Sequence, residues 1–244
     1  MRLRLTLAYN GAAFSGWQSQ RGGGGVQDAL ETAFRALCDG RIIVHGSGRT
    51  DAGVHALGQC AHVDVPDGRL PLGSWMMAVN ARLPREVRVM RVQRASPDFH
   101  ARFSASGKIY RYTIWNGPVL PPHLLDRAWL VPGTFDGERL AEACRIFTGR
   151  HDFAAFCARA SKAAEPTTRT ITGIRARRQG ALWTLTFEGE GFLYKMVRML
   201  TGSAVRCAAG RIAPGDLRVL LERAGPRTSY VAPAGGLCLV RVRY

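Results

Sequence analysis

Leu3, Leu5, Leu7 and Tyr9 alternate with Arg2, Arg4 and Thr6, the period of two expected of a strand with one buried face. Gly22 to Gly25 break the pattern, and Val26, Ala29, Leu30, Ala33, Phe34 and Leu37 then recur at helical spacing until Gly40. Strands are expected at about 41–46 and 57–65, separated by a glycine-rich loop. Trp75, Val79 and Leu83 predict a second helix stopped by Pro84, and a strand follows over Val87–Val92. The order is strand, helix, strand, strand, helix, strand.

The second half repeats that order. Tyr110–Trp115 reads as a strand, and 136–147 as a helix with Leu140, Cys144 and Phe147 on one face. Residues 170–178 and 181–188 form a strand pair turning at Gln179-Gly180. Phe192, Met196, Met199 and Leu200 mark a helix, Pro214 to Arg223 an added one, and 237–244 a last alternating strand. The stretch 157–169 has no periodicity and reads as a mobile loop. The expected fold is α+β: two ferredoxin-like (βαββαβ) halves, 1–105 and 106–244, sharing a mixed or antiparallel sheet with helices on one face. A central cleft is expected where the halves meet.

Charge bears on what that cleft would hold, and an RNA-binding cleft is the expectation. Lys and Arg total 34 against 18 acidic residues, a formal net charge of +16. Only Lys108, Lys162 and Lys195 are lysines, so arginine, the planar fork that grips phosphate and stacks on bases, dominates. A polyanion is the natural partner. No apolar run reaches the ~18 residues of a membrane span, so no membrane partner is expected. The alternating N-terminus reads as a strand rather than a signal peptide. The six cysteines contain no Cys-x-x-Cys pair, which supports neither a zinc site nor a disulfide framework and points to the reducing cytoplasm; Cys38, Cys144 and Cys238 lie in apolar-periodic segments and are expected in the core.

The densest chemistry lies in Gly46-Ser47-Gly48-Arg49-Thr50-Asp51-Ala52-Gly53-Val54-His55. Its glycines let the backbone bend and approach a ligand. The residues alone leave two readings: a tight turn in which Asp51 caps the backbone, or a carboxylate presented in a cleft as nucleophile or general base. The loop matches neither the phosphate-binding Gly-x-x-x-x-Gly-Lys-Ser/Thr nor the dinucleotide Gly-x-Gly-x-x-Gly pattern, so ATP or NAD dependence is not indicated.

Gly48-Arg49-Thr50-Asp51-Ala52-Gly53-Val54-His55-Ala56-Leu57-Gly58-Gln59 closely resembles the active-site motif of the TruA family of tRNA pseudouridine synthases. Tyr9 to Gln18, Val26-Gln27, Phe99 to Ala105, Lys108 to Tyr112, His151-Asp152-Phe153, Arg169-Thr170-Ile171 and Gly191 to Arg198 resemble further family motifs in order. The likeness covers nearly the whole chain. It implies an isomerase that converts uridine to pseudouridine at positions 38, 39 and 40 of the tRNA anticodon stem-loop, with no cofactor and no metal. It implies a homodimer in which one tRNA spans both subunits. Asp51 matches the catalytic aspartate, Tyr110 the tyrosine that packs on the target uracil, and Arg198 the arginine that pairs with the aspartate. Arg49 matches an RNA-contacting arginine, and Lys108, Arg102 and Gln59 fall in motifs assigned with it to substrate binding. Asn10, Gly22–Gly25, Glu190 and Thr228–Pro233 depart from the family pattern and are expected to leave Asp51, Tyr110 and Arg198 untouched.

Two other classes compete. A non-catalytic RNA-binding protein built from the same halves wants a Lys/Arg-Gly-Phe-Gly-Phe-type strand, which this chain lacks. A methyltransferase or nuclease wants a cofactor loop or a carboxylate cluster for Mg²⁺, and too few acidic residues lie near Asp51.

Overall fold

The computed structural model describes residues 1–158, 166–222 and 228–244. Part of the expected 157–169 loop, and Arg223 at the end of the added helix, lie outside the described residues. Two compact units make up the chain: Met1–Ser106 with Cys238–Tyr244, and Gly107–Leu237.

The first unit opens with β1 (Arg2–Tyr9), α1 (Val26–Arg35), β2 (Val44–Gly46), β3 (His55–Asp64), α2 (Trp75–Asn80) and β4 (Val87–Arg94). The sheet order is β4-β1-β3, with β2 on β3, and every one of these pairs is antiparallel. This is the expected βαββαβ arrangement. Leu3, Leu5 and Leu7 are fully buried, and each such burial contributes about 1.5–3 kcal/mol. They share their core with Leu30 and Phe34 of α1 and with Trp75 of α2, which stacks on Phe34 at 5.9 Å between centroids. The start of α1 is fixed by the Asp28 carboxylate, which accepts the Gly25 N–H at 2.9 Å and so occupies a donor the first turn leaves unpaired.

The second unit holds β5 (Gly107–Trp115), β6 (Trp129–Leu130), α3 (Gly137–Phe147), β7 (Gly149–Asp152), β8 (Thr168–Gln179), β9 (Leu182–Gly189), α4 (Met196–Ala208) and α5 (Pro214–Glu222). Its strands run in the order β5-β9-β8-β7, all antiparallel, and β6 joins β5 in parallel. Asp136 caps α3 by accepting from the N–H groups of Glu138 at 2.8 Å and Arg139 at 3.2 Å. Leu185 and Phe187 of β9, Leu140 and Phe147 of α3, and Met196 and Leu200 of α4 are buried and form the core.

The last strand, β10 (Leu237–Arg243), forms where alternation predicts it, and it pairs in parallel with β3 at His55 and Ala56. Residues 238–244 therefore count with the first unit, whereas the sequence reading placed all of 106–244 in one half. Three smaller expectations are also corrected. The strand expected at 41–46 is only Val44–Gly46, the residues that pair with Val63, His62 and Ala61 of β3. Phe192 precedes α4 rather than lying in it. Cys238, expected in the core, is only half-buried. Among the described residues no helix is long and apolar enough to cross a membrane.

Candidate active site

The loop bearing Asp51 connects β2 to β3 and is fastened from beneath by buried polar groups. At its start the Ser47 N–H donates to the Cys60 carbonyl at 2.8 Å, and the Ser47 hydroxyl donates to Gln59 Oε1 at 2.7 Å. Gln59 is fully buried; its Nε2 donates to the Gly48 carbonyl at 3.0 Å and reaches the Tyr9 hydroxyl at 3.5 Å. In the middle, Thr50 is held on two sides. Its carbonyl accepts the Trp17 N–H at 3.0 Å, and its hydroxyl shares a hydrogen bond of 2.8 Å with Tyr9. Burial pushes the Tyr9 phenol well above its usual range, so it stays neutral and acts as a fixed hydrogen-bonding post. Beyond Asp51, the Val54 N–H closes a turn on the Asp51 carbonyl at 3.1 Å, and Nδ1 of His55 accepts the Gly11 N–H at 3.1 Å.

Backbone lies directly on backbone here, and two glycines make that possible. A Cβ on Gly11 would sit 2.1 Å from the Val54 carbonyl oxygen. One on Gly16, which has φ +106°, would sit 2.8 Å from the Thr50 carbonyl oxygen. The segment 10–18 thus forms a bed under the loop, while Asp51 itself is half-buried and Ala52 exposed. An ordered bed of this kind holds a carboxylate in one place before a substrate arrives, the condition for electrostatic and covalent catalysis.

The other predicted residues fall as follows. Arg49 is exposed and its Nε donates to Gln18 Oε1 at 3.1 Å. Gln18 in turn donates to Gln27, and Gln27 to Glu31, at 2.8 and 2.9 Å, which ties Arg49 to α1 through a relay of amides. Arg102 is exposed, with its guanidinium 5.6 Å from the ring centre of Phe103. In the second unit Lys108 and Tyr110 lie on β5, opposite Gly189 and Phe187 of β9. Tyr110 is 8% exposed and meets Phe192 edge-on at 5.2 Å. Arg198 sits in the first turn of α4, its Nε donating to the Ala232 carbonyl at 2.8 Å, while the Ala232 N–H returns a bond to the Arg198 carbonyl at 3.1 Å. The departing segment Thr228–Pro233, expected to leave Arg198 untouched, therefore holds it directly.

Gln59, which the resemblance assigns to substrate binding, is fully buried here, with both ends of its amide engaged by Ser47 and the Gly48 carbonyl. Tyr9, Gly11, Gly16 and Trp17 were quoted as motif residues without a role; the structure places them under the loop. Among the described residues no group of three or more His, Cys, Asp or Glu is placed to hold a metal ion.

The chain belongs to the class its sequence resembles, the pseudouridine synthases. A family model described as tRNA pseudouridine synthase matches residues 6–104 and 143–244, and the chain belongs to that family. It is 45% identical to the tRNA pseudouridine synthase A of Akkermansia muciniphila, over 100% of this chain and 95% of that protein. The enzyme of the same name from Solidesulfovibrio magneticus is 45% identical, over 100% of this chain and 91% of the relative. That of Bacillus licheniformis is 39% identical, over 100% and 99%.

Proposed function

We propose that this chain isomerises uridine to pseudouridine at positions 38, 39 and 40 of the tRNA anticodon stem-loop, with Asp51 as the catalytic carboxylate. The observation that carries the reading is the loop's foundation. One carboxylate is presented from a backbone clamped by Gln59, Tyr9, Trp17 and His55, in a chain of the tRNA pseudouridine synthase family.

The reaction breaks the bond from C1′ of the ribose to N1 of uracil, turns the base, and joins C1′ to C5. The C5 proton leaves and N1 gains one, so mass and oxidation state are unchanged and no cofactor is called for. The base is unreachable inside a stack and must first be flipped out, at a few kcal/mol. Stacking on an aromatic returns about 1–3 kcal/mol, and Tyr110 is the ring assigned that part. Asp51 attacks the sugar or base as a nucleophile, or acts as a base at the ribose. Arg198 is the cation assigned to the carboxylate. Arg49, Lys108 and Arg102 contact RNA, mainly its phosphates. The same reading makes the working enzyme a cytoplasmic homodimer with one tRNA across two subunits, which sedimentation with and without tRNA tests.

The deciding experiment incubates the purified chain with unmodified tRNA transcripts in EDTA and maps pseudouridine by carbodiimide primer extension. Stops in the anticodon stem-loop are expected. Asp51→Asn keeps tRNA affinity and loses turnover by at least about 10³-fold, within the range of a catalytic proton-transfer or nucleophilic group. Substantial turnover in that variant sinks the assignment. Tight binding with no stops from the wild type leaves the RNA-binding reading instead.

A further inference from the structure

Arg49 is the exposed end of a hydrogen-bonded chain whose other end is a carboxylate, and every donor in the chain points the same way. The Glu31 carboxylate, on α1, can only accept. It takes Nε2–H of Gln27 at 2.9 Å and the N–H of Val44, the first residue of β2, at 3.1 Å. The chain carries 34 Lys and Arg, yet among the described residues Glu31 forms no ion pair and gives its charge to these amides. With its nitrogen committed to Glu31, the buried Gln27 has its oxygen left for the next step. That oxygen accepts Gln18 Nε2–H at 2.8 Å and the Ser19 N–H at 3.1 Å. Gln18, its own nitrogen spent, presents Oε1 to Arg49 Nε.

Neither amide can be turned over. A flipped Gln27 sets its nitrogen against the Ser19 N–H and its oxygen against the Glu31 carboxylate. A flipped Gln18 sets a nitrogen against Arg49 Nε–H. The backbone beneath is fixed as well. The Val26 and Gln27 N–H groups donate to the Gly16 and Trp17 carbonyls, both at 3.0 Å, and a Cβ on Gly25 would sit 2.8 Å from the Gln18 carbonyl oxygen. One negative charge thus sets the direction of a polarised chain that ends in an acceptor two residues from Asp51. Among the described residues Arg49 is held by Nε alone, which leaves the four N–H donors of its terminal nitrogens to a ligand. Binding through a long side chain costs rotamer freedom, and a guanidinium already held at Nε has less of it to lose.

We propose that Gln18, Gln27 and Glu31 are positioning residues for substrate binding: Glu31 sets the polarity of the amide chain, and the chain holds the Arg49 guanidinium with its terminal nitrogens presented to the RNA. The proposal rests on the reading of Arg49 as an RNA contact, and it assigns the chain to affinity rather than to the chemical step.

The test compares Gln18→Leu, which cuts the last link at a half-buried position, with Gln27→Glu, which keeps the shape of the centre and sets one carboxylate against another. Gln27→Glu/Glu31→Gln exchanges the two groups, so that a donor again faces an acceptor at that step and an oxygen remains for the Val44 N–H. Each variant is made with and without Arg49→Ala, and the tRNA dissociation constant, kcat, KM and melting temperature are measured. Gln18→Leu and Gln27→Glu are expected to raise KM and the dissociation constant about three- to tenfold, the cost of ordering one long side chain on binding, with kcat within about twofold. The exchange recovers most of the affinity. In the Arg49→Ala background the same variants change nothing further, because a residue that acts through another has no effect once that other is gone. Losses that add to that of Arg49→Ala overturn the proposal, as does wild-type affinity in Gln18→Leu, which carries the test by itself if Gln27→Glu does not fold. A lowered melting temperature with affinity intact, or a loss confined to kcat, makes the chain a structural brace and overturns it too. If Arg49→Ala binds tRNA as wild type does, the reading of Arg49 as an RNA contact fails and the proposal falls with it. Wild type without pseudouridine-forming activity refutes the parent reading separately.

Discussion

Gln59→Leu separates the supporting role from a substrate-binding one. Leucine keeps most of the volume and removes both ends of the amide. The Ser47 hydroxyl then loses its 2.7 Å acceptor and the Gly48 carbonyl its 3.0 Å donor, in a place where Gln59 is 0% exposed. Each buried group left unsatisfied costs about 1–3 kcal/mol, so about 2–6 kcal/mol is expected for the two. In a chain of this length, at about 2–4 °C per kcal/mol, that is a drop of at least about 4 °C in the melting temperature. The loop can relieve part of the cost by moving, and a shift of Asp51 from its reactive position then appears in turnover. About 1.4–2.8 kcal/mol taken up in this way lowers kcat by about 10–100-fold. tRNA affinity changes little, since Gln59 has no surface with which to touch RNA. The assays are calorimetric melting, filter binding of tRNA, and release of tritium from C5-labelled uridine under single-turnover conditions. A variant with wild-type melting and kcat but a tRNA dissociation constant raised tenfold would refute the reasoning and return Gln59 to the substrate-binding set.

Two further outcomes test other parts of the molecule. Tyr110→Phe keeps the ring that meets Phe192 and is expected to hold turnover within about tenfold, whereas Tyr110→Ala loses about 1–3 kcal/mol of base stacking, and with it about 10–100-fold in kcat/KM. Equal losses in rapid-quench single-turnover rates would move the role from the ring to the hydroxyl. His62 is pushed down to about 4 by burial first and by the neighbouring His45, Arg2 and His100 next. Its Nδ1 accepts the Ala101 N–H at 3.1 Å, so protonation there breaks a bond. The folded state thus binds the proton less readily than the unfolded chain, whose histidine titrates near 6.5. The associated stability is complete above that value and is lost as pH falls toward 4, by about 2 kcal/mol between pH 7 and pH 5. Urea midpoints at the two pH values measure it, and His62→Gln, which retains an acceptor, should abolish most of the difference; an equal loss in that variant would discount His62 as the source.

Long periodic elements were legible because their pattern repeats enough to be counted. β1, α1, α3 and the β8–β9 pair lie within a few residues of where alternation or helical spacing puts them. β6 and β7 span two and four residues, too few to display a period, and each exists only because a longer strand offers an edge to pair with. The membership of β10 was hidden for a related reason. Alternation predicts a strand but not its neighbour, and its parallel pairing with β3 joins residues more than 180 positions apart.

The candidate site divides along the same line. The glycine-rich run around Asp51 is local and was visible. Its support is tertiary: Tyr9 meets Thr50 across 41 positions and Gln59 reaches Tyr9 across 50. Tyr9 shares the parity of Leu3, Leu5 and Leu7, so it reads as one more apolar core position and its hydroxyl goes unnoticed. Gln59 did leave a trace. In β3 it shares the inward parity of Ala61 and Val63, and it stands opposite Leu7, so an uncharged amide occupies a core-facing position in an otherwise apolar row. A core accepts such a group only when its hydrogen bonds are made inside. The partners within reach were the adjoining turn, and that turn carries Asp51, the carboxylate proposed for the chemistry. A polar residue at an inward position of the strand that follows a glycine-rich loop is therefore better read as the loop's anchor than as its ligand contact.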